Sequence, residues 1–351
     1  MKRAILFLIT VGIIFSFTMN VFAEKAGYEY GGSQIYLENK TYDDGYGNDG
    51  KSLKGSNHFS ATRLYLTNYY YFSDNTLVRL TLDSTGQKMG NNGVDYENSW
   101  IFVKYLYVEF KNLGWADSLY IGQIANPWTN WEDKIWGYRI IAKSLLDDTG
   151  ITQSTDRGMS WLKKIDKKSE CQFALVGGEG YKQPDYNRDI NFEGRYTYEV
   201  VDNIKMSVGT GAGTKANNTA LPSSTADWAD KNSVSYLVGN IHYKTKDTIV
   251  SLTSAGYVVD NDSQRNGTIT KSVGNSITGV QKLIDNLNLI GRLDNYDPDK
   301  SLPENNVQKS IIGLGYKVNE DLQLVVNKQA SIYDRTNTVV HINYFQAEVL
   351  F

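Results

Sequence analysis

Residues 190–212 read INFEGRYTYEVVDNIKMSVGTGA. Ile190, Phe192, Tyr196, Tyr198 and Val200 alternate with Asn191, Glu193, Arg195, Thr197 and Glu199. In an extended chain successive side chains point to opposite sides, so this segment has one apolar and one polar face. Val201-Asp202-Asn203 makes a tight turn, after which Ile204, Met206 and Val208 oppose Lys205 and Ser207. The two arms predict a hairpin with one wet and one dry face.

The same pattern extends in both directions. Val78, Leu80 and Leu82 oppose Arg79, Thr81 and Asp83; Leu287, Leu289 and Leu293 oppose Asn288, Arg292 and Asp294. About sixteen such segments can be counted, of roughly the 9–11 residues that a tilted membrane strand needs. Short turns, nearly all carrying Asp, alternate with longer polar loops. All five prolines (Pro127, Pro184, Pro222, Pro298, Pro303) fall in the long loops, as expected of a residue that breaks a strand ladder. A soluble sandwich gives alternating strands too, but has no reason to segregate its loop lengths. The segments 100–111, 119–125, 172–178 and 271–283 alternate poorly, and their faces stay unassigned.

The chain opens with Lys2 and Arg3, an apolar run from Ala4 to Phe17, and Val21-Phe22-Ala23. That is the layout of a secretory signal peptide cleaved after Ala23, so residues 1–23 are set apart from a folded region 24–351. Cys171 is the only cysteine, which excludes an intramolecular disulfide. A net charge of −3 argues against a nucleic-acid partner. Mean hydropathy is −0.42. That value fits a soluble protein and equally a membrane barrel, in which only alternate residues meet lipid.

One stretch breaks the pattern: NPWTNWEDKIWGYRIIAKSLLDDTGITQSTDR, residues 126–157. Trp131, Ile135, Tyr138, Ala142 and Leu145 lie on one face of a helix by spacing. The end of the chain is equally distinctive. Residues 339–351, VVHINYFQAEVLF, place Phe345, Ala347, Val349 and Phe351 on one face and finish on an aromatic residue. That ending resembles the terminal strand by which the barrel-assembly machinery recognises its clients, with Phe351 as the assembly signal.

With the strand SLYIGQIANPW (118–128) and the long connection after it, the chain resembles Gram-negative outer-membrane porins of the sixteen-stranded general-diffusion and phosphate-selective types. The resemblance implies an all-β transmembrane antiparallel barrel in the outer-membrane lipid bilayer. Its long third loop would fold inward and narrow the pore. It implies a homotrimer, no cofactor and no enzymatic activity, with small hydrophilic solutes and ions diffusing passively. The alternatives are a channel selective for phosphate, another anion or a sugar, and a secreted all-β carbohydrate-binding or carbohydrate-active protein.

On this reading the loop supplies a constriction of Glu132, Asp133, Lys134, Arg139, Lys143, Asp147 and Asp148. Trp131, Ile135 and Tyr138 would pack on the wall, and Glu132, Asp133, Arg139 and Lys143 would face water. Trp128, Trp131 and Trp136 would fix the loop. Arg63, Arg79, Asp83, Lys104, Glu193, Arg195, Lys205, Arg292, Asp294 and Lys317 are strand charges that would be costly against lipid, so they are expected to line the pore. Tyr69–Phe72, Tyr105, Tyr107, Tyr196, Tyr198, Tyr344 and Phe345 suit interfacial girdles. His58, His242 and His341 lack metal-ligand spacing, so no metal site is expected. A lipase-like serine beside His242 or His341 is the enzyme reading to test.

Overall fold

The computed structural model describes residues 26–44, 52–89, 96–182, 189–216, 231–262 and 268–351. The leader, Pro184, Pro222 and much of the Asp/Gly-rich loop after residue 44 lie outside them. Period-two patterning yields sixteen strands: β1 (Gly27–Tyr42), β2 (Asn57–Ser73), β3 (Thr76–Met89), β4 (Tyr96–Lys111), β5 (Ser118–Ala125), β6 (Thr155–Lys164), β7 (Ser169–Val176), β8 (Asn191–Val201), β9 (Ile204–Ala216), β10 (Lys231–Lys244), β11 (Thr248–Asp262), β12 (Thr268–Ile284), β13 (Leu287–Asp297), β14 (Val307–Lys317), β15 (Leu322–Tyr333) and β16 (Thr338–Leu350). Each pairs antiparallel with its sequence neighbours, and β1 pairs with β16 to close the barrel, Ile35 opposite Val349. Ser33 and Phe351 exchange backbone hydrogen bonds of 2.6 and 3.1 Å at the seam. Closure removes the two edges that an open sheet would leave unpaired. Several strands exceed the expected length; β2 and β12 each have 17 residues.

The outer surface is a belt of aliphatic side chains. Val208, Leu237, Ile241, Leu252, Ile277, Leu293, Ile312 and Val326 are all exposed. A continuous apolar belt is unfavourable in water and is what a bilayer requires. The hairpin at 190–212 follows its pattern: Phe192, Tyr196, Tyr198, Met206 and Val208 face out, while Arg195, Thr197 and Ser207 are buried within.

The unassigned segments break alternation for physical reasons. In β4 a bulge sets Thr81 opposite Tyr105 and Leu82 opposite Val103. The extra residue, Lys104, therefore turns inward beside Tyr105, and both are buried. In β5, Gly122 has φ +130°, and a Cβ there would lie 2.3 Å from the Leu106 carbonyl oxygen, so a larger residue cannot take that close approach. In β7 the inner positions are apolar: Ala174 and Val176 pack with Ile124, Tyr107 and Tyr120. In β12 Val280 faces in and Asn275 faces out, where it accepts a hydrogen bond from Ser254 at 2.8 Å.

The expected aromatic girdles divide. Tyr70, Phe72, Tyr196, Tyr198 and Phe345 are exposed on the outside. Tyr69, Tyr71, Tyr105, Tyr107 and Tyr344 belong instead to inward positions. Tyr69 and Tyr105 sit against the Arg79 guanidinium at 5.8 and 4.3 Å, and Tyr107 joins the inner cluster of Ile124. The correction is one of parity. A run such as YYYF must send every second ring inward, whatever its composition.

Candidate functional site

Between β5 and β6 the chain leaves the wall and packs against the inside of the barrel. Asn126 begins the departure, its Oδ1 accepting from the backbone N–H groups of Trp128 and Thr129 at 2.9 Å each. These are orphan donors of helix α1 (Thr129–Trp136). The helix ends at Gly137, which has φ 71°. The long helical face expected from spacing is therefore cut short, and only a brief helix α2 (Leu145–Asp148) follows. The apolar residues beyond Gly137 are buried all the same.

Two inner clusters hold the loop. Trp128, Leu145, Leu146 and Ile151 pack on Tyr236, Val238 and Ala255 of β10 and β11. Trp136, Tyr138, Ile140, Ile141 and Ala142 pack on Tyr36 of β1 and on Val280, Ile290, Ile311 and Val325 of β12–β15. Loop carbonyls removed from water need donors, and the wall provides them. Arg195 Nε donates to Pro127 O at 2.9 Å, Gln346 Nε2 to Ile140 O at 2.8 Å, and Gln329 Nε2 to Ile141 O at 3.3 Å; Arg292 also donates to Lys143 O.

This docking redefines several expected site residues. Arg195 and Arg292 point inward but are almost fully covered. Arg292 is locked to Asp294 at 2.8 Å, and Glu193 accepts a hydrogen bond from Asn126. These four lie on the inner wall beneath the loop, and Arg195, Arg292 and Glu193 bond to it directly. Glu132 is a further correction. Expected to face water, it turns to the wall, accepting from Thr253 Oγ1 at 2.7 Å and from Trp128 Nε1 at 3.0 Å. Burial there pushes its carboxyl up to about 7. Asp148 reaches back to Lys309 of β14 at 3.2 Å.

The rest of the loop's charge forms a knot on its free side. Arg139 bonds Asp133 at 3.1 Å and Asp147 at 2.7 Å, and Lys143 lies 3.4 Å from Asp147. Across a cavity of about 640 Å³ from it lies the wall of β2–β4, on which Arg63 and Arg79 are partly exposed and Lys104 and Asp83 are buried. Arg79 donates to Thr81 at 3.0 Å. Arg63 stacks on Tyr65 at 4.9 Å and lies 3.9 Å from Asp83. Lys104 donates to Tyr65 OH at 2.7 Å. Tyr181, from the β7–β8 loop, donates to Asp83 at 2.8 Å and roofs Lys104 at 5.6 Å. Guanidinium and ammonium groups over ring faces are held in fixed positions. Lys134 is exposed on the same cavity. Lys205, 3.4 Å from Glu199, and Lys317 lie near the short-turn rim.

A closed sixteen-stranded barrel with an apolar exterior, a polar interior and a loop docked within is a specific architecture. The fold is that of the outer-membrane porins. The outer-membrane channel DcaP of Acinetobacter baumannii superposes with a TM-score of 0.63 at 13% identity, over 94% of this chain and 99% of its own. The anion-selective porin from Comamonas acidovorans gives 0.63 at 11% identity, over 93% and 100%. Salmonella typhi OmpF gives 0.61 at 8% identity, over 93% and 98%. No family model and no curated protein matches the sequence. The porin fold thus persists where side-chain identity has all but vanished, because it rests on patterning and strand number.

Sequence reasoning passed over Tyr36, Tyr65 and Tyr181 and misplaced Tyr105. Tyr65 shares strand parity with Arg63, a signal that was available, whereas Tyr36 faces Arg63 from β1 through a cross-strand register that spacing does not give. Tyr181 enters from a loop, where no periodicity exists to reveal it. His242 and His341 take Asn240 and Asp44 as side-chain partners, each at 3.0 Å, and neither bonds a serine among the described residues.

Proposed function

We propose that the chain forms a water-filled outer-membrane channel for passive diffusion of small hydrophilic solutes, and that its narrow passage prefers anions. One observation carries the preference. On the β2–β4 wall the two guanidinium groups, Arg63 and Arg79, have one carboxylate beside them, Asp83, while Asp321 and Glu348 line the cavity at the turn before β15 and on β16. On the loop side Arg139 and Lys143 are matched by Asp133 and Asp147. The β2–β4 side of the passage therefore carries more cations than carboxylates, and rings of charge set ion preference. The loop from Asn126 to Ser154 is the constriction in this reading, since it packs on the inner faces of β1 and of β10–β15.

Planar-bilayer recording under a potassium chloride gradient tests it. The reversal potential should report chloride as the more permeant ion. A cation-preferring channel, or no channel, overturns the proposal. Current that saturates with one solute would assign a selective channel within the same fold.

The reading extends to assembly. An anionic-solute porin would be exported with cleavage after Ala23, and the mature protein should begin at Glu24 by N-terminal sequencing. Phe351, whose side chain is exposed at the barrel seam, is the proposed assembly signal. A homotrimer is proposed on the precedent of Vibrio cholerae OmpT, one structure of which is a trimer form with a TM-score of 0.58 at 10% identity. Chemical cross-linking in intact membranes should yield a three-chain band.

A further inference from the structure

Below the loop, at the rim of short turns, lies a second lumenal cavity of about 590 Å³. Lys134 stands between it and the passage along β1–β4, lining both. Lys134 of α1, Lys164, Lys167 and Lys168 of the β6–β7 turn region, Lys205 of β9 and Lys244 of β10 line it. Its two carboxylates are already engaged. Asp166 accepts from the backbone N–H groups of Lys168 and Ser169 at 2.7 and 2.8 Å, and Glu170 pairs with Arg195 at 2.8 Å. Lys205 has Glu199 at 3.4 Å. The other five ammonium groups have no carboxylate within ion-pair distance among the described residues.

Five like charges around one cavity repel one another, and they do so more strongly inside a protein-walled lumen than in bulk water. A dissolved ion with two or more negative charges relieves that repulsion in a way chloride cannot. An ammonium group is also a good point-charge partner for phosphate oxygens. The cavity opens to the lumen and not to lipid, because Trp131, Thr197 and His242 are inward residues and share its lining. A solute in transit, not a membrane headgroup, is therefore the occupant that can reach it. We propose that this lysine-lined vestibule is a binding site for multivalent oxyanions, such as phosphorylated or polycarboxylate solutes, on the short-turn side of the channel. The proposal rests on the porin reading and gives the channel an asymmetry which that reading lacks.

The turn is well suited to a test. Its shape is fixed by backbone bonds, Ile165 N to Ser169 O at 2.9 Å and Glu199 N to Lys168 O at 2.8 Å, and by the Asp166 carboxylate. Lysine side chains can therefore change without dismantling it. The experiment uses the full-length channel in planar bilayers in symmetric potassium chloride, with pyrophosphate added first to one side and then to the other. Half-block should need about tenfold less pyrophosphate from one side. In Lys164→Ala/Lys167→Ala/Lys168→Ala that asymmetry should vanish, while chloride conductance changes less than about twofold, because the narrowest passage lies elsewhere. The corresponding triple arginine variant should retain the asymmetry. Equal block from both sides, or asymmetry that survives in the triple alanine variant, overturns the proposal and leaves the porin reading standing. Absence of channel current overturns both.

Discussion

The inner surface of this barrel has two characters. From β10 round to β15 it presents Val238, Ala255, Val280, Ile290, Ile311 and Val325, all buried. From β2 to β4 it presents Arg63, Arg79, Asp83 and Lys104. Both are the inner face of the same sheet. The difference is what lies over them: loop side chains in one case and a cavity in the other, where Arg63 and Arg79 are partly exposed and Lys104 and Asp83 are buried among their own neighbours. The rule that a porin wall is polar inside thus applies only where the wall is wet. Under the loop the lumen contains a small hydrophobic core of its own, closed by Trp128, Trp136 and Tyr138.

Removing the cover should erase the contrast and give the largest effect. Deletion of most of Trp131–Leu146 should raise single-channel conductance several-fold in planar bilayers. Unchanged conductance would show that this segment does not limit flow. Next in size are the two kinds of buried cation. Arg63→Ser with Arg79→Ser strips the bare wall and should move the reversal potential markedly towards cation permeation. Arg292→Ser removes a clamp and should leave the reversal potential nearly in place, while increasing current noise as the loop loses its bond at Lys143. If both variants shifted selectivity equally, the division into lining and clamp would fail.

That division explains what could be read from the chain alone. Strand number and the alternation of short turns with long loops are repeated signals, and each strand votes independently for them; the inward position of the docked segment was implied only by the resemblance to porins. The roles of Glu193, Arg195, Arg292 and Asp294 are not such signals. Their inward parity was correct, yet parity cannot say whether a loop lies on top. Nor could spacing show that Gly137 would end α1, so the single helical face drawn through Leu145 was too long. The faces of β4 and β12 were hidden for the same two reasons, a bulge at Lys104 and an apolar inner patch at Val280.

A milder change tests whether the covered wall stores loop stability. Ile290 is fully buried beneath Tyr138 and its neighbours. Ile290→Ala should weaken that packing by about 2–4 kcal/mol, the transfer and cavity cost for such truncations. The expected readout is a lower thermal midpoint for loss of near-ultraviolet circular dichroism, with β-sheet content unchanged. A midpoint equal to wild type would mean the loop does not depend on this contact.

The smallest effect concerns Glu132, which lies on the covered side of the contrast although its charge would suit the bare side. Burial raises its carboxyl from 4.5 to about 7, so the docked loop holds a proton that the undocked loop would release. Docking therefore gains from this group below about pH 4.5, and the gain is lost as pH climbs through about 7. Thr253 and Trp128 go on donating as the proton leaves, and their bonds strengthen to the carboxylate, which offsets part of the burial cost. That offset limits the effect to a modest increase in open-channel noise between pH 5.5 and 8, windows set on either side of the shifted value. Glu132→Gln keeps the shape and removes the titration. Its noise should be independent of pH, and noise that still rose with pH in that variant would assign the sensitivity to another group.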